Sequence, residues 1–164
     1  MAKTKFEFST VGHDEWLTPK WITDAVGPFD LDPCSPINRP WQTAKTHLNK
    51  NDDGLSARWE GFVWMNPPYG KEAKHWMKKL QEHENGVALL FVRTETKLFF
   101  ESVWGKASAI VFLKGRIPFC YVDGTQAKPA GAPSCLISYG ELGKERLKLA
   151  VESGKIKGHL ILFK

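Results

Sequence analysis

The sequence has no long apolar run. Its 164 residues are 42% hydrophobic and 25% charged, yet no stretch approaches the roughly 18 apolar residues that a membrane-spanning helix needs. The first five residues also lack the apolar stretch of a secretory signal. Because this composition is typical of globular proteins, we expect a cytoplasmic protein with no membrane partner.

Cysteine is scarce, and the chain has no internal repeat and no Ser/Gly-rich linker. The three cysteines, Cys34, Cys120 and Cys135, are widely spaced with no C-x-x-C pair. This spacing excludes a disulfide framework and a zinc site of the usual patterns, so we interpret them as buried thiols and expect no metal. The absence of linkers predicts a single domain over residues 1–164, with 1–14 as a flexible arm.

What the sequence does have is positive charge and tryptophan. The formal net charge is +5, the isoelectric point is about 9.1, and the chain contains seven tryptophans. A basic protein approaches a polyanion at a lower electrostatic cost, and planar side chains either stack on bases or fill a core. Both features favour a nucleic-acid partner only weakly.

Apolar strands alternate with amphipathic helices along much of the chain. The predicted strands are 29–32, 44–50, 61–65, 87–92, 109–113, 116–122, 134–139 and 159–163. The predicted helices are 19–26, a segment from residue 73 that Asn85-Gly86 ends, 98–104 and 141–152. Continuously apolar strands between helices predict a doubly wound α/β fold, Rossmann-like, with a mostly parallel sheet. We expect 116–122 and 134–139 to form an antiparallel edge near the C-terminal end.

One loop offers unusual chemistry. Asn66-Pro67-Pro68-Tyr69-Gly70 follows the apolar strand 61–65 directly, and ligands of open parallel sheets bind beyond the carboxyl ends of strands. The amide of Asn66 and the carbonyl of Pro67 are two acceptors, Pro68 keeps Pro67 extended, and Tyr69 adds an aromatic face. These groups suit the amine of an adenine that has been flipped out of a duplex. We therefore predict that Asn66, Pro67, Pro68 and Tyr69 are catalytic.

Several motifs in one order resemble the phage-type DNA N-6-adenine methyltransferase family over about residues 15 to 140. They are Trp16-Leu17-Thr18-Pro19, Leu31-Asp32-Pro33, Asp52-Asp53-Gly54-Leu55, Trp64-Met65-Asn66-Pro67-Pro68-Tyr69-Gly70, Val92-Arg93-Thr94-Glu95-Thr96, and Phe112-Leu113-Lys114-Gly115-Arg116-Ile117-Pro118-Phe119. The resemblance implies the S-adenosylmethionine-dependent methyltransferase type of fold, with S-adenosylmethionine as cofactor and DNA as substrate. It also implies modification of phage or prophage DNA against restriction, in the host cell cytoplasm.

The resemblance also implies a cofactor site. Its residues would be Trp16, Thr18, Pro19, Asp32, Pro33, Asp52, Asp53 and Asn66. The three carboxylates are suitable acceptors for the hydroxyls of a ribose and the amine of an adenine. The segment after Asp32 lacks the glycine-rich turn that many adenine methyltransferases have, so a different contact is expected for the methionine end of the cofactor.

Little chain is left for reading DNA, because Asp32 and Asn66 are separated by a short segment. DNA contacts must therefore come from the arm, from residues 93–97 or from 116–133. The candidates are Arg93, Thr94, Lys97, Arg116 and Lys128. Each of the basic ones could equally be a solvated surface charge.

Two other functions fit the same residues. The acceptor pair of Asn66 and Pro67 suits any planar amine, so methylation of an RNA base or of a protein glutamine is one alternative. A second alternative is a non-enzymatic module that binds single strands through tryptophans and lysines. We expect a monomer or a weak dimer.

Overall fold

The computed structural model describes residues 15–164, so the predicted arm lies outside the described residues. Within this range, strands and helices follow one another in a mixed α/β order. They are α1 (Lys20–Val26), β1 (Leu31–Asp32), β2 (Thr46–His47), β3 (Val63–Met65), α2 (Ala73–His83), β4 (Gly86–Phe91), α3 (Lys97–Ser102), β5 (Ala109–Leu113), β6 (Ser134–Tyr139), α4 (Gly140–Glu152) and β7 (Gly158–Leu162). No helix in this part of the chain could cross a membrane.

The described strands form one seven-stranded sheet in the order β2-β1-β3-β4-β6-β5-β7. The pairs β2-β1, β1-β3 and β3-β4 are parallel. The pairs β4-β6, β6-β5 and β5-β7 are antiparallel. The prediction of a largely parallel sheet is therefore confirmed at one end and wrong at the other.

The predicted antiparallel edge is confirmed in part: the strands at the C-terminal end of the sheet are antiparallel, but 116–122 is not one of them. Residues 116–122 are a loop in which Cys120 alone makes isolated bridges, to Leu17 and Gln126, and Pro118 lacks the N–H that a strand ladder needs. Residues 134–139 do form a strand, β6, but it lies between β4 and β5. All six residues of β6 are buried, which is typical of a strand covered on both faces.

Helices cover both faces of the sheet. On one face, Ile22 and Val26 of α1 and Leu147 of α4 belong to one apolar core. On the other face, Leu80 of α2 and Phe99 of α3 belong to a second core. The spacing of its apolar residues predicted α2, because residues three and four apart share one helix face.

The parallel end of the sheet positions the site. Because β1, β3 and β4 run in the same direction, their carboxyl ends lie at one edge. The chain leaves each of these strands in a polar or proline-rich loop. These loops therefore come together at the place where open α/β sheets bind ligands.

Candidate active site

A cleft of about 970 Å³ lies beyond the carboxyl ends of these strands. Its walls come from the chain before α1, from the loops after β1 and β3, from the turn before β3, from α2, and from the end of β4 and the segment that follows it. The lining residues are Glu15, Trp16, residues 33–36, Asn49, Lys50, Asp53, Gly54, residues 66–70, Ala73, Trp76, Leu90, Phe91, Arg93, Thr96, Leu98 and Phe99. Small-molecule sites in proteins have volumes of about 300–1,000 Å³. The cleft is therefore large enough for an organic cofactor together with part of a second substrate.

Asn66 lines this cleft and has an unsatisfied acceptor. Its side-chain oxygen Oδ1 is buried and accepts no hydrogen bond from any described residue. A buried acceptor without a donor costs about 1–3 kcal/mol, and a ligand that supplies the donor is one way in which a protein recovers that cost. Asn66 Oδ1 is thus available to an N–H group that enters the cleft.

Cys34 connects the end of β1 to the same loop. Its Sγ donates to the backbone carbonyl of Asn66 at 3.3 Å. Burial, together with the charge of Asp32, raises the pKa of the Cys34 thiol well above its usual value. The thiol is therefore neutral and donates a hydrogen bond; it is a poor nucleophile.

Tyr69 presents an aromatic face. Its side chain is 41% exposed and stacks on Phe91, with ring centroids 4.7 Å apart and an interplanar angle of 11°. Phe91 in turn meets Phe119 edge to face. One face of the tyrosine ring is thus supported by Phe91, and the exposed remainder of the ring is available for stacking.

The structure brings together half of the predicted cofactor residues. Trp16, Pro33, Asp53 and Asn66 line the cleft. Thr18, Pro19, Asp32 and Asp52 are not among the described residues that line it. The contacts of these four residues show what they do instead.

Asp32 is buried and directed into the loop that follows β1. Its two oxygens accept from the backbone N–H of Cys34 at 3.3 Å and from Thr43 Oγ1 at 2.5 Å. Burial raises the pKa of Asp32 to about 6. Thr18 is also buried, and Pro19, which we expected to be the first helical residue, is the N-cap of α1.

The neighbouring carboxylates Asp52 and Asp53 differ. Asp52 accepts a hydrogen bond from the backbone N–H of Asn49 at 2.8 Å, so it closes its own turn. Asp53 has a left-handed backbone conformation with φ of 45° and lines the cleft. Its carboxylate accepts no hydrogen bond from the described residues, although its charge attracts the Lys79 ammonium.

Of the predicted DNA contacts, Arg93 alone lines the cleft, and its guanidinium makes no ion pair within the described part of the chain. Lys97 pairs with Glu101 at 3.4 Å. Arg116 donates to the backbone carbonyls of Ala130 and Gly131, which holds its own loop together. Thr94 and Lys128 are outside the cleft wall.

Among the cleft residues to which the sequence assigned no function are the two that contact loop 66–70, Cys34 and Phe91. The sequence indicated only a buried thiol for Cys34 and a strand position for Phe91. Both lie at the carboxyl end of a predicted parallel strand, which was the signal available in the sequence. The described residues contain no cluster of three or more His, Cys, Asp or Glu side chains that could hold a metal ion.

Comparison with known families gives one result. The family model described as DNA N-6-adenine-methyltransferase (Dam) matches residues 6–156, which is most of the chain. Searches of curated proteins and of solved structures found no match.

Proposed function

The chain belongs to the DNA N-6-adenine-methyltransferase (Dam) family, and we propose that it transfers the methyl group of S-adenosylmethionine to the N6 amine of a flipped-out adenine in DNA. The observation that carries the proposal is the buried, unsatisfied Oδ1 of Asn66 in the same cleft as the exposed ring of Tyr69. An acceptor beside a stacking plane matches an aromatic amine better than it matches an aliphatic one.

We propose that loop 66–70 activates the amine by holding it. Asn66 Oδ1 and the carbonyl of Pro67 accept its two N–H groups, while Pro68 keeps the backbone of Pro67 extended. Acceptors on both hydrogens favour a tetrahedral nitrogen, whose lone pair then points at the methyl carbon. Tyr69 stacks on the flipped base and returns about 1–3 kcal/mol of the unstacking cost.

The cleft fits the cofactor by volume and by its donor and acceptor groups. When bound, S-adenosylmethionine supplies a methyl group on a sulfonium that is already a good leaving group, so the protein contributes mainly positioning. Asp53 has a free carboxylate for the ribose hydroxyls, and Trp16 and Pro33 provide apolar walls. We propose that four further residues do not contact the cofactor and instead shape the segments that carry Asp53, Trp16 and Pro33. They are Thr18, Pro19, Asp32 and Asp52.

Arg93 is the proposed contact to the phosphates of the flipped nucleotide, because it combines a position in the cleft with an unpaired guanidinium. Thr94, Lys97, Arg116 and Lys128 would then contribute to the outer DNA surface. Modification of phage or prophage DNA against restriction is the biological role that we propose, on the strength of the motifs in the sequence.

The test is calorimetric titration with S-adenosylmethionine followed by transfer of labelled methyl groups to mixed-sequence DNA. We expect binding and transfer to adenine. Binding with transfer only to RNA or protein would support the alternative substrates, and no cofactor binding would refute a methyltransferase in favour of a binding module.

The Tyr69 side chain offers a matched pair of variants for the same assay. Tyr69→Ala removes the stacking ring, so kcat/KM for DNA should fall about tenfold or more. Tyr69→Phe keeps the ring and should stay within about threefold of the unchanged protein. Equal losses in both variants would show that the hydroxyl, and not the ring, is what matters.

A further inference from the structure

The segment that presents Asp53 to the cleft is held by a single lysine of α2. Lys79 Nζ donates to the backbone carbonyls of Leu55 and Ala57, each at 2.5 Å. It also lies 5.0 Å from the ring centroid of Trp59, and the indole Nε1 of Trp59 donates to the carbonyl of Gly54 at 2.8 Å. Residues 53–59 are therefore closed around the Lys79 ammonium.

This segment has little freedom to move. A Cβ on Gly54 would lie 2.1 Å from the carbonyl oxygen of Pro33 and 2.9 Å from the ring of Trp76. Asp53 itself has φ of 45°, a region that residues other than glycine adopt uncommonly. Such a conformation persists only where the surrounding contacts require it. The contacts of Lys79 and Trp59 add to the hydrogen bonds that the backbone N–H groups of Ser56 and Ala57 donate to the Asp53 carbonyl.

The same helix is connected to the other half of the cleft. Helix α2 begins at Ala73, shortly after loop 66–70, and both Ala73 and Trp76 line the cleft. Lys79 follows within two turns of the helix. One rigid element thus connects the loop that carries Asn66 with the turn that carries Asp53.

We propose that Lys79 is a positioning residue that holds the Asp53 carboxylate in place for the cofactor, at a fixed position relative to loop 66–70. This inference rests on the proposed function, because it takes the cofactor to be S-adenosylmethionine. Lys79 does not line the cleft, so it acts through Asp53 and the backbone of residues 54–57.

The first variant is Lys79→Met, which keeps the length of the side chain and removes its charge and its donors. Since hydrogen bonds to charged groups are the stronger ones, we expect the Kd for S-adenosylmethionine to rise about tenfold. The kcat at saturating cofactor should stay within about twofold. The matched control is Lys78→Met, because Lys78 is exposed and pairs only with Glu82 at 3.8 Å; its Kd should not change.

A double-mutant cycle separates positioning from general stability. If Lys79 acts through Asp53, adding Lys79→Met to Asp53→Asn should weaken cofactor binding no further than Asp53→Asn alone. Losses that multiply, or a lowered kcat with an unchanged Kd, would overturn the inference. Lys79→Arg, which retains charge and donors, should restore most of the affinity.

Two further measurements distinguish a failure of folding, a failure of the proposed function and a failure of the inference about Lys79. If Lys79→Met does not fold, Trp59→Phe removes only the indole donor to Gly54 and should raise the same Kd by a smaller factor. If the unchanged protein does not bind S-adenosylmethionine, the proposed function fails. If it binds but Lys79→Met binds equally well, the inference about Lys79 alone fails.

Discussion

The loops after β1 and β3 lie at neighbouring strand ends but use their buried polar groups in opposite ways. In the first loop, both oxygens of Asp32 are buried and accept hydrogen bonds, one of them from Thr43. In the second, the side-chain oxygen of Asn66 is also buried but has no donor among the described residues. A satisfied buried group stabilises its loop, whereas an unsatisfied one costs free energy until a ligand arrives. The hydrogen-bond partners therefore distinguish a loop whose buried acceptor is satisfied within the protein from one whose buried acceptor is not.

The comparison is tested most strongly by Asn66→Ala. We expect kcat for methyl transfer to fall about 10²–10³-fold, the usual cost of losing one preorganised polar group. The melting temperature should stay the same or rise, because the variant removes an unsatisfied buried acceptor. Labelled-methyl assays and thermal denaturation measure the two effects. The control is Asn38→Ala, at an exposed asparagine; a destabilised but fully active Asn66→Ala would contradict the assignment.

Removing a hydrogen-bond donor from the loop after β1 should lower the stability of the protein more than its activity. Thr43→Val keeps the shape of the side chain but removes the hydroxyl that donates to Asp32. The free energy of unfolding should fall by about 1–3 kcal/mol, measured by urea denaturation. The kcat should change far less than in Asn66→Ala. Thr46→Val, at an exposed position of β2, is the control, and an equal loss of stability there would refute a specific role for the Thr43 hydroxyl.

The smallest expected effect concerns pH, because burial shifts the pKa values of Asp32 in β1 and His47 in β2 in opposite directions. Burial raises the pKa of Asp32 from 3.8 to about 6. The stabilisation that follows is complete below pH 3.8 and is lost as the pH rises through 6. Burial, aided by the charge of Arg39, lowers the pKa of His47 from 6.5 to about 4. Its stabilisation is complete above pH 6.5 and is lost as the pH falls through 4, so the two slopes offset each other.

Replacing one of the two titrating side chains should reveal how the melting temperature depends on pH through the other. In Asp32→Asn, the melting temperature should fall more steeply than in the unchanged protein as the pH is lowered from 6.5 to 4. In His47→Gln, the melting temperature should instead fall as the pH is raised over the same interval. Calorimetric scans across this interval measure both slopes, and parallel curves for all three proteins would show that these groups do not govern the pH response.

Local patterns were enough to predict the position of loop 66–70 at the end of a strand. An apolar strand followed by Asn66-Pro67-Pro68 marks a strand end, and the fold places that end at the cleft. The helix α2 was equally predictable, since its apolar face repeats with helical spacing. These features depend on residues close together in the chain.

The features that sequence reasoning missed depend on distant residues. The position of β6 follows from its pairing with both β4 and β5, which no local pattern specifies. Lys79 has the sequence context of a surface lysine, and its contacts come from carbonyls more than 20 residues earlier in the chain. The role of Asp32 likewise depends on how Thr43 folds back over it.

The central position of β6 also bears on how the chain is made. Strands β4 and β5 are synthesised first, yet β6 lies between them and pairs with both. Until residues 134–139 have left the ribosome, β4 and β5 therefore each have an edge without its native partner, and apolar edges of this kind pair readily with other chains. Strand β6 thus covers the facing edges of β4 and β5, and β7, which is made last, covers the outer edge of β5.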